Sequence, residues 1–491
     1  VSRKSLNAVA PAFARAAQYR DAYRDTPAGT AGPRTSPWLR DDRHWLPIGA
    51  LVVALVWTLT VLMIVPDGFD YGDLTSAGAP TSGGFVSRVL WLSLLGGGLL
   101  VIAWRASLAW RLLTSLNPFL IAFLVLVAAS AAWSIEPAIT VRRLIRVITI
   151  VVVAMAFVLV VWHAQRFQNV LRPIVTMVLV GSVIFGLGWP QFAIHQATTG
   201  VLVGAWHGLA NHKNSFGDIA AVGLIFWVHG WLSKSVHTLA ALFGAGLAIT
   251  CLLLSHSSTS LVATLFTLLL MTTLLRCPPA LRPFVPYLIT GLLATLLAYS
   301  LAVLDLVPGL NVLLSPISMI TGKDSSFTGR TEIWDILWQQ IALHPYLGSG
   351  YGAYWTGPVM GSPSYEFVQR LNFYPGSAHN GYLEILNDLG TVGLIILVGY
   401  LVGFVVQTLR LLRIDRTQAT LYLALFLQQS ISNLSESRWL NAFSVDFVFM
   451  TLATTALARG LLEQRLRNEL GQPWQGRPTP LSARFVNSDA A

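Results

Sequence analysis

The chain has 491 residues, of which 54% are hydrophobic and 11% charged, and it carries a formal net charge of +10. Soluble domains carry roughly 25% charged residues, and apolar runs recur here well past the roughly 250–300 residues at which one core stops growing, which excludes an ordinary water-soluble protein. The basic residues fall between apolar runs and in the tails, without a patch interleaved with aromatics, which excludes a nucleic-acid surface.

In chain order, residues Val1 to Arg43 are rich in Arg, Ala, Pro and Gly and are expected to be poorly ordered. Within them Phe13 to Tyr23 reads either as a short amphipathic helix on anionic lipid or as solvated tail. This opening is polar and basic, so the first apolar run is expected to act as the insertion signal. Runs long enough to cross roughly 30 Å of hydrocarbon start near Trp45, Val86, Pro118, Val147, Leu171, Ser215, Leu239, Thr259, Phe284, Gly390, Gln418 and Leu440. The expectation is an all-α polytopic membrane protein with about twelve transmembrane helices. Its parts are an N-terminal tail (1–44), nine spans (45–306), a large outer loop (307–380), three spans (381–459) and a C-terminal tail (460–491).

Charge sets the expected orientation. With the amino terminus inside, most of the 32 Lys and Arg fall in cytoplasmic loops and tails, while Asp67, Asp70 and Asp73 fall in the first outer loop. The carboxyl terminus is then cytoplasmic as well. Arg142, Arg143, Arg146, Lys213, Lys323, Arg330, Arg370 and Arg438 run against this bias. Arg88, Arg146 and Arg438 read as interface anchors that snorkel to headgroups, whereas Arg330 reads as functional. Asp218 and Asp446 lie inside apolar runs near an outer end and read as interface residues. Cys251 and Cys277 fall near opposite ends of one helical hairpin, too far apart for a bond.

From Asp305 to Gly381 the chain is dense in Gly, Pro, Ser, Trp and Tyr and has no clean spanning run. Loops this long are usually functional. Gly329-Arg330-Thr331-Glu332-Ile333-Trp334 opens a helix with capping residues in Asp324 to Thr328 and an apolar stripe of Ile333, Trp334, Leu337, Trp338 and Ile341. It ends near His344-Pro345, where His344 reads mainly as a C-terminal cap. A glycine-rich turn, Gly348 to Tyr354, follows, and Ser377-Ala378-His379-Asn380-Gly381-Tyr382 leads into the tenth span and places His379 at its mouth. The aromatic residues of the loop read mostly as loop core or interfacial belt, with a minority, Trp334 among the candidates, stacking on sugar rings.

In three pieces the chain resembles the bacterial O-antigen ligase and Wzy-type polymerase superfamily, especially its exopolysaccharide polymerase branch: Gly329-Arg330 with Trp334, His344-Pro345 with the glycines after it, and Ser377 to Tyr382. Weaker echoes are Trp133-Ser134 to Pro137 with Arg142 and Arg143, and Gly204 to Trp206 with His212-Lys213-Asn214. The resemblance implies a GT-C-like glycosyltransferase architecture in the bacterial inner (cytoplasmic) membrane, with the active site facing the periplasm. It also implies a polyprenyl (undecaprenyl) diphosphate-linked oligosaccharide as substrate, with membrane lipid and assembly proteins such as a chain-length regulator and a flippase as partners. A second arginine that ligases of this family carry in a serine-rich turn is missing, because Ser255-His256-Ser257-Ser258-Thr259-Ser260 stands there. The second phosphate contact then falls to His256, Lys213, Arg142 or Arg143, and helix capping accounts for the turn otherwise.

The residue chemistry agrees with that resemblance. A departing diphosphate is already anionic and needs charge neutralisation, which a guanidinium supplies through paired donors. The attacking sugar hydroxyl must lose a proton, and an imidazole, with an unperturbed pKa of roughly 6.5, is suited to take it. The expectation is Arg330 on the diphosphate and His379 as general base, the alternative for His379 being a helix-capping role. Asn214, Asn380, His344 and Trp334 are further candidates for binding diphosphate or sugar. Neither the acidic residues nor His195, His207 and His212 show metal-ligand spacing, so a metal-independent transfer without cofactor is expected. The resemblance implies a polymerase that moves a growing glycan from polyprenyl diphosphate to the terminal sugar of an incoming lipid-linked repeat; the competing readings are a ligase passing the polymer to a lipid core or protein, and, from another class, a flippase or transporter.

Overall fold

The computed structural model describes residues 46–65, 85–162, 165–196, 202–303 and 330–469. The N-terminal tail, residues 470–491 of the C-terminal tail, Asp67, Asp70, Asp73, Lys323, the capping stretch Asp324 to Thr328 and Gly329 lie outside the described residues, while residues 460–469, expected in the C-terminal tail, continue the last helix.

The described chain is all-α. Its helices are α1 (Leu46–Ile64), α2 (Phe85–Trp104), α3 (Ala106–Leu113), α4 (Pro118–Ser130), α5 (Pro137–Val160), α6 (Phe167–Gly188), α7 (Lys213–Leu232), α8 (Thr238–Leu254), α9 (Ser258–Arg276), α10 (Val285–Val303), α11 (Arg330–Leu343), α12 (Tyr365–Leu371), α13 (Gly381–Leu412), α14 (Arg416–Ser432) and α15 (Val445–Glu469). Among the described residues eight of these are long and apolar enough to cross a membrane: α1, α2, α5, α6, α7, α9, α13 and α15. A ninth crossing arises if α3 and α4, bent by 98° at their break, are taken as one. The chain is therefore a multi-pass membrane protein. Helices also stand at the other expected positions, but α8 and α14 are shorter, with 17 residues each.

Several boundaries differ from the sequence reading. The fourth span begins at Pro137, in the first helical position where a missing N–H costs nothing. Arg142, Arg143 and Arg146 therefore sit on the helix and not in a loop before it. The last span begins at Val445 and not near Leu440, which leaves residues 433–444 as a compact non-helical connection.

Contacts divide the chain into a large unit, Asp41–Leu462 with Trp474–Ala491, and a small one, Val1–Arg40 with Glu463–Pro473. In the small unit the described residues are the last turns of α15, where Arg467 pairs with Glu463 at 2.9 Å. In the large unit α5 packs against α1, α2 and α4, α7 against α6, α8 and α9, and α14 against α9 and α13. Residues Val147 and Thr149 to Val160 of α5 are buried all round, as befits a central helix. The less apolar α15 is also enclosed from Val445 to Leu462, whereas the strongly apolar α1 and α2 are buried over only 28% of their spans and present the rest outward. Lipid-facing helices need hydrocarbon side chains; an enclosed helix can carry polar groups that find partners.

α13 explains the glycines of the large loop. At Gly390 the backbone takes φ 65° and ψ −164°, breaking the helix, a conformation essentially confined to glycine. The broken backbone is repaired by the turn after α11. Ser349 and Gly350 donate to the carbonyls of Asn387 and Asp388, each at 3.0 Å, and the carbonyls of Pro345 and Tyr346 accept from Thr391 and Val392 at 2.9 and 3.2 Å. A Cβ on Gly390 would stand 2.2 Å from the Tyr346 carbonyl carbon, and one on Gly348 2.4 Å from that of Asp388. The two main chains touch because both positions lack side chains, and the start of α13 is thereby locked to the loop.

Candidate active site

His379 sits just before α13, with φ 47°, a left-handed conformation uncommon outside glycine. Its neighbours hold it there. The Ala378 N–H donates to Glu384 Oε2 at 2.7 Å, and the Ala378 carbonyl accepts from Trp334 Nε1 at 2.9 Å. On the other side Asn380 caps α13, its Oδ1 accepting from the Tyr382 and Leu383 N–H groups at 3.0 and 3.1 Å. The Gly381 N–H reaches the Asn433 carbonyl at 2.9 Å. Asn380 and Trp334 are both buried, so the structure places them in the support of this loop.

The connection between α14 and α15 meets His379 with a carboxylate. Glu436 Oε2 lies 3.6 Å from His379 Nδ1, and Glu436 Oε1 lies 3.4 Å from an Arg330 guanidinium nitrogen at the start of α11. The same Oε1 accepts from Asn214 Nδ2 at 2.6 Å. The His379 and Arg330 side chains keep 23% and 21% of their surface exposed, while Glu436 beneath them keeps 13%. Burial would raise the Glu436 carboxyl, but His379, Arg438 and Arg330 outweigh it and hold the group well below the usual carboxylate range. Burial lowers Arg330, partly offset by Glu436. The result is a carboxylate firmly ionised between an imidazole and a guanidinium.

Beneath this group lies an ionic support. Arg438, read from sequence as a headgroup anchor, is buried and pairs with Asp218 at 3.1 Å and Asp446 at 3.3 Å. The two aspartates, read as interface residues, are buried too, with Ser260 and Ser432 donating to Asp218 and Gln429 to Asp446. Burial acts against the Arg438 charge, and Asp218, Asp446 and Glu436 outweigh it. The serine-rich turn thus serves Asp218: Ser257 contacts Ser260 at 2.8 Å and does not cap α9 with its side chain.

At the start of α7, His212 accepts from the Asn214 N–H at 3.3 Å and Lys213 Nζ donates to the His256 carbonyl at 3.4 Å. The His195 ring lies tilted against His207 and edge-on to His212, with ring centroids 4.8 and 5.2 Å away. Burial is the chief reason His212 and His195 are pushed down to about 4 and His207 is lowered. Among the described residues no group of three or more His, Cys, Asp or Glu is arranged to hold a metal ion.

The remaining candidates lie apart from this carboxylate. Arg143 donates to the Trp355 carbonyl at 3.3 Å, faces the Phe443 ring at 5.0 Å and fills the space above Gly352. Arg142 is exposed on α5. His344 is exposed past the end of α11, where its carbonyl accepts from the Gly348 N–H. His256 is exposed at φ 50°.

Residues 243–398, from α8 through the outer loop and His379 into α13, match the family model described as O-antigen ligase. That match supports the resemblance to the O-antigen ligase and Wzy-type polymerase superfamily. It is also similar to the exopolysaccharide production protein ExoQ of Rhizobium meliloti (strain 1021), at 29% identity over 328 residues that cover 62% of this chain and 68% of the relative. Arg330 and His379 lie inside the ligase-family segment; Glu436 lies beyond it. Sequence reasoning passed over Glu436, although an acid beside Arg438 in a short break between two apolar runs was a visible signal.

Proposed function

We propose that the chain is a membrane glycosyltransferase of polysaccharide assembly: a polymerase that moves a growing glycan from polyprenyl diphosphate to the terminal sugar of an incoming lipid-linked repeat. One observation carries this reading. Arg330 and His379, 49 positions apart in the large loop, share the carboxylate of Glu436.

In this mechanism the acceptor hydroxyl attacks the anomeric carbon, and its proton passes to His379. The bond from that carbon to the phosphate oxygen breaks, and its electron pair leaves on the diphosphate. Arg330 binds the phosphate oxygens and stabilises the charge that grows on them. Lys213 is the candidate for the second cation: it stands at the start of α7 beside Asn214, which bonds the same Glu436, although its Nζ donates to the His256 carbonyl. Arg143 is engaged at Trp355 and Phe443 and serves the base of the loop. The site faces the periplasm and both tails face the cytoplasm, in keeping with the distribution of Lys and Arg.

Reconstitution in proteoliposomes tests the mechanism, with undecaprenyl-diphosphate repeat units purified from a strain lacking the gene. Wild type elongates them, while His379→Ala and Arg330→Ala lose elongation; full elongation by both variants would remove the mechanism. The family description favours a ligase as the second reading. Deletion separates the two: loss of a polymerase leaves single repeats, and loss of a ligase leaves long chains on the carrier.

A further inference from the structure

We infer that Glu436 is a positioning residue for the transfer: its carboxylate faces the Nδ1–H of His379 as acceptor and so fixes the tautomer, which leaves Nε2 as the nitrogen that receives the acceptor proton. This rests on the reading of His379 as the acceptor base.

Three observations support it. First, the atom of His379 that faces the carboxylate is Nδ1, at 3.6 Å. That is a few tenths of an ångström beyond a good hydrogen bond, and such bonds commonly tighten only when substrate arrives. An ionised carboxylate accepts and cannot donate, so the proton on the imidazole sits on the nitrogen beside it. Second, Glu436 is itself held. Asn214 Nδ2 at 2.6 Å and the Arg330 guanidinium at 3.4 Å hold Oε1, which leaves Oε2 for the histidine. Third, its segment is anchored on both sides. Asn433 Oδ1 accepts from the Arg438 and Trp439 N–H groups at 2.9 and 2.7 Å, and Ser437 Oγ accepts from the Asn380 N–H at 3.3 Å. The connection carrying the carboxylate is thus tied to the residue that follows His379.

The consequence for the reaction is a balanced proton transfer. The acceptor proton moves to Nε2 and makes an imidazolium, whose charge Glu436 offsets at once. The carboxylate stays ionised throughout, and the imidazolium afterwards returns its proton to water. An amide at position 436 would lose that compensation.

The charged and titratable groups around the pair come from every neighbouring element: Arg330 on α11, His212 and Lys213 at the start of α7, Glu384 on α13 and Arg438 on the same connection as Glu436. Glu436 is the carboxylate placed at His379 Nδ1.

The test compares wild type, Glu436→Gln, Glu436→Asp and His379→Ala in proteoliposomes, with the same purified undecaprenyl-diphosphate repeat units, across pH 5 to 9. Glu436→Gln is expected to lower kcat roughly 10- to 1000-fold, not exceeding the roughly 10²–10⁴ that a general base contributes. Its acid limb should move to lower pH, because an imidazole without the anion gives up its proton more readily, and donor KM should not rise. Glu436→Asp keeps the charge, so its acid limb stays in place while kcat falls less. Should Glu436→Gln fail to fold by size exclusion in detergent, Glu436→Asp carries the test: kcat equal to wild type overturns the inference. A Glu436→Gln enzyme with unchanged kcat and an unmoved limb overturns it too, as does one altered only in donor KM, which would make Glu436 a mere counter-ion to Arg330. Activity retained in His379→Ala overturns instead the reading on which the inference rests.

Discussion

Trp334 offers a sharp test of how the site is held. The Ala378 peptide is gripped from both faces, by Glu384 at its N–H and by the Trp334 indole at its carbonyl, and Ala378 is fully buried. Trp334→Phe keeps an aromatic ring in the loop core but removes the donor at 2.9 Å. A buried carbonyl left without its partner costs roughly 1–3 kcal/mol. If the native fold absorbs that cost, the melting temperature in detergent falls. If the peptide turns to find water, His379 moves with it; at roughly 1.36 kcal/mol per factor of ten, kcat then falls about 5- to 150-fold. Elongation kinetics and thermal melts on one preparation distinguish these outcomes. Wild-type kcat and wild-type melting temperature together refute the clamp. The same result with a raised KM for the glycan would restore the sequence-level idea that Trp334 stacks on sugar.

Three further outcomes follow from the same geometry. Arg438→Ala strands Asp218 and Asp446 in a buried site, costing about 3–5 kcal/mol; folded yield measured by size exclusion should collapse, and adding Asp218→Asn with Asp446→Asn should recover part of it. Gly350 has φ 101° and a Cβ there would lie 2.4–2.6 Å from Ser134, so Gly350→Ala should lose roughly 2 kcal/mol or more through strain and overpacking, and an unchanged melt contradicts this. Acid should destabilise the α7 entrance. His195, His207 and His212 are held below the ordinary imidazole value, the first and last at about 4, so the unfolded chain binds more protons than the folded one once pH drops below roughly 6.5. Stability is full above that point and falls towards pH 4; His212→Asn, which keeps a capping oxygen, should flatten part of the slope, and a melting temperature constant from pH 6.5 to 4.5 would sink the argument.

The scaffold was legible because apolar length is a one-dimensional property. Helices stand at the expected starts of most spans, and on the loop helix from Arg330 the predicted stripe is buried at Ile333, Trp334, Leu337 and Ile341 and half-buried at Trp338. Boundaries failed where polar residues join a helix. α5 takes in Arg142, Arg143 and Arg146, whereas α13 begins at Gly381, where the last three spans are expected to start, and runs on through a break at Gly390 that the loop repairs.

By itself the sequence determined that this chain is a bundle of apolar helices with a polar loop holding Arg330, His344 and His379. Hydropathy, glycine and proline act locally and can be read in order. Only the tertiary structure decided which charges meet: it paired Arg438 with two aspartates, placed His344 and Arg143 elsewhere, and set Glu436 between His379 and Arg330. The physical reason is that a buried charge is tolerated only with a partner, and that partner comes from wherever the helices pack, at separations along the chain that no spacing rule records.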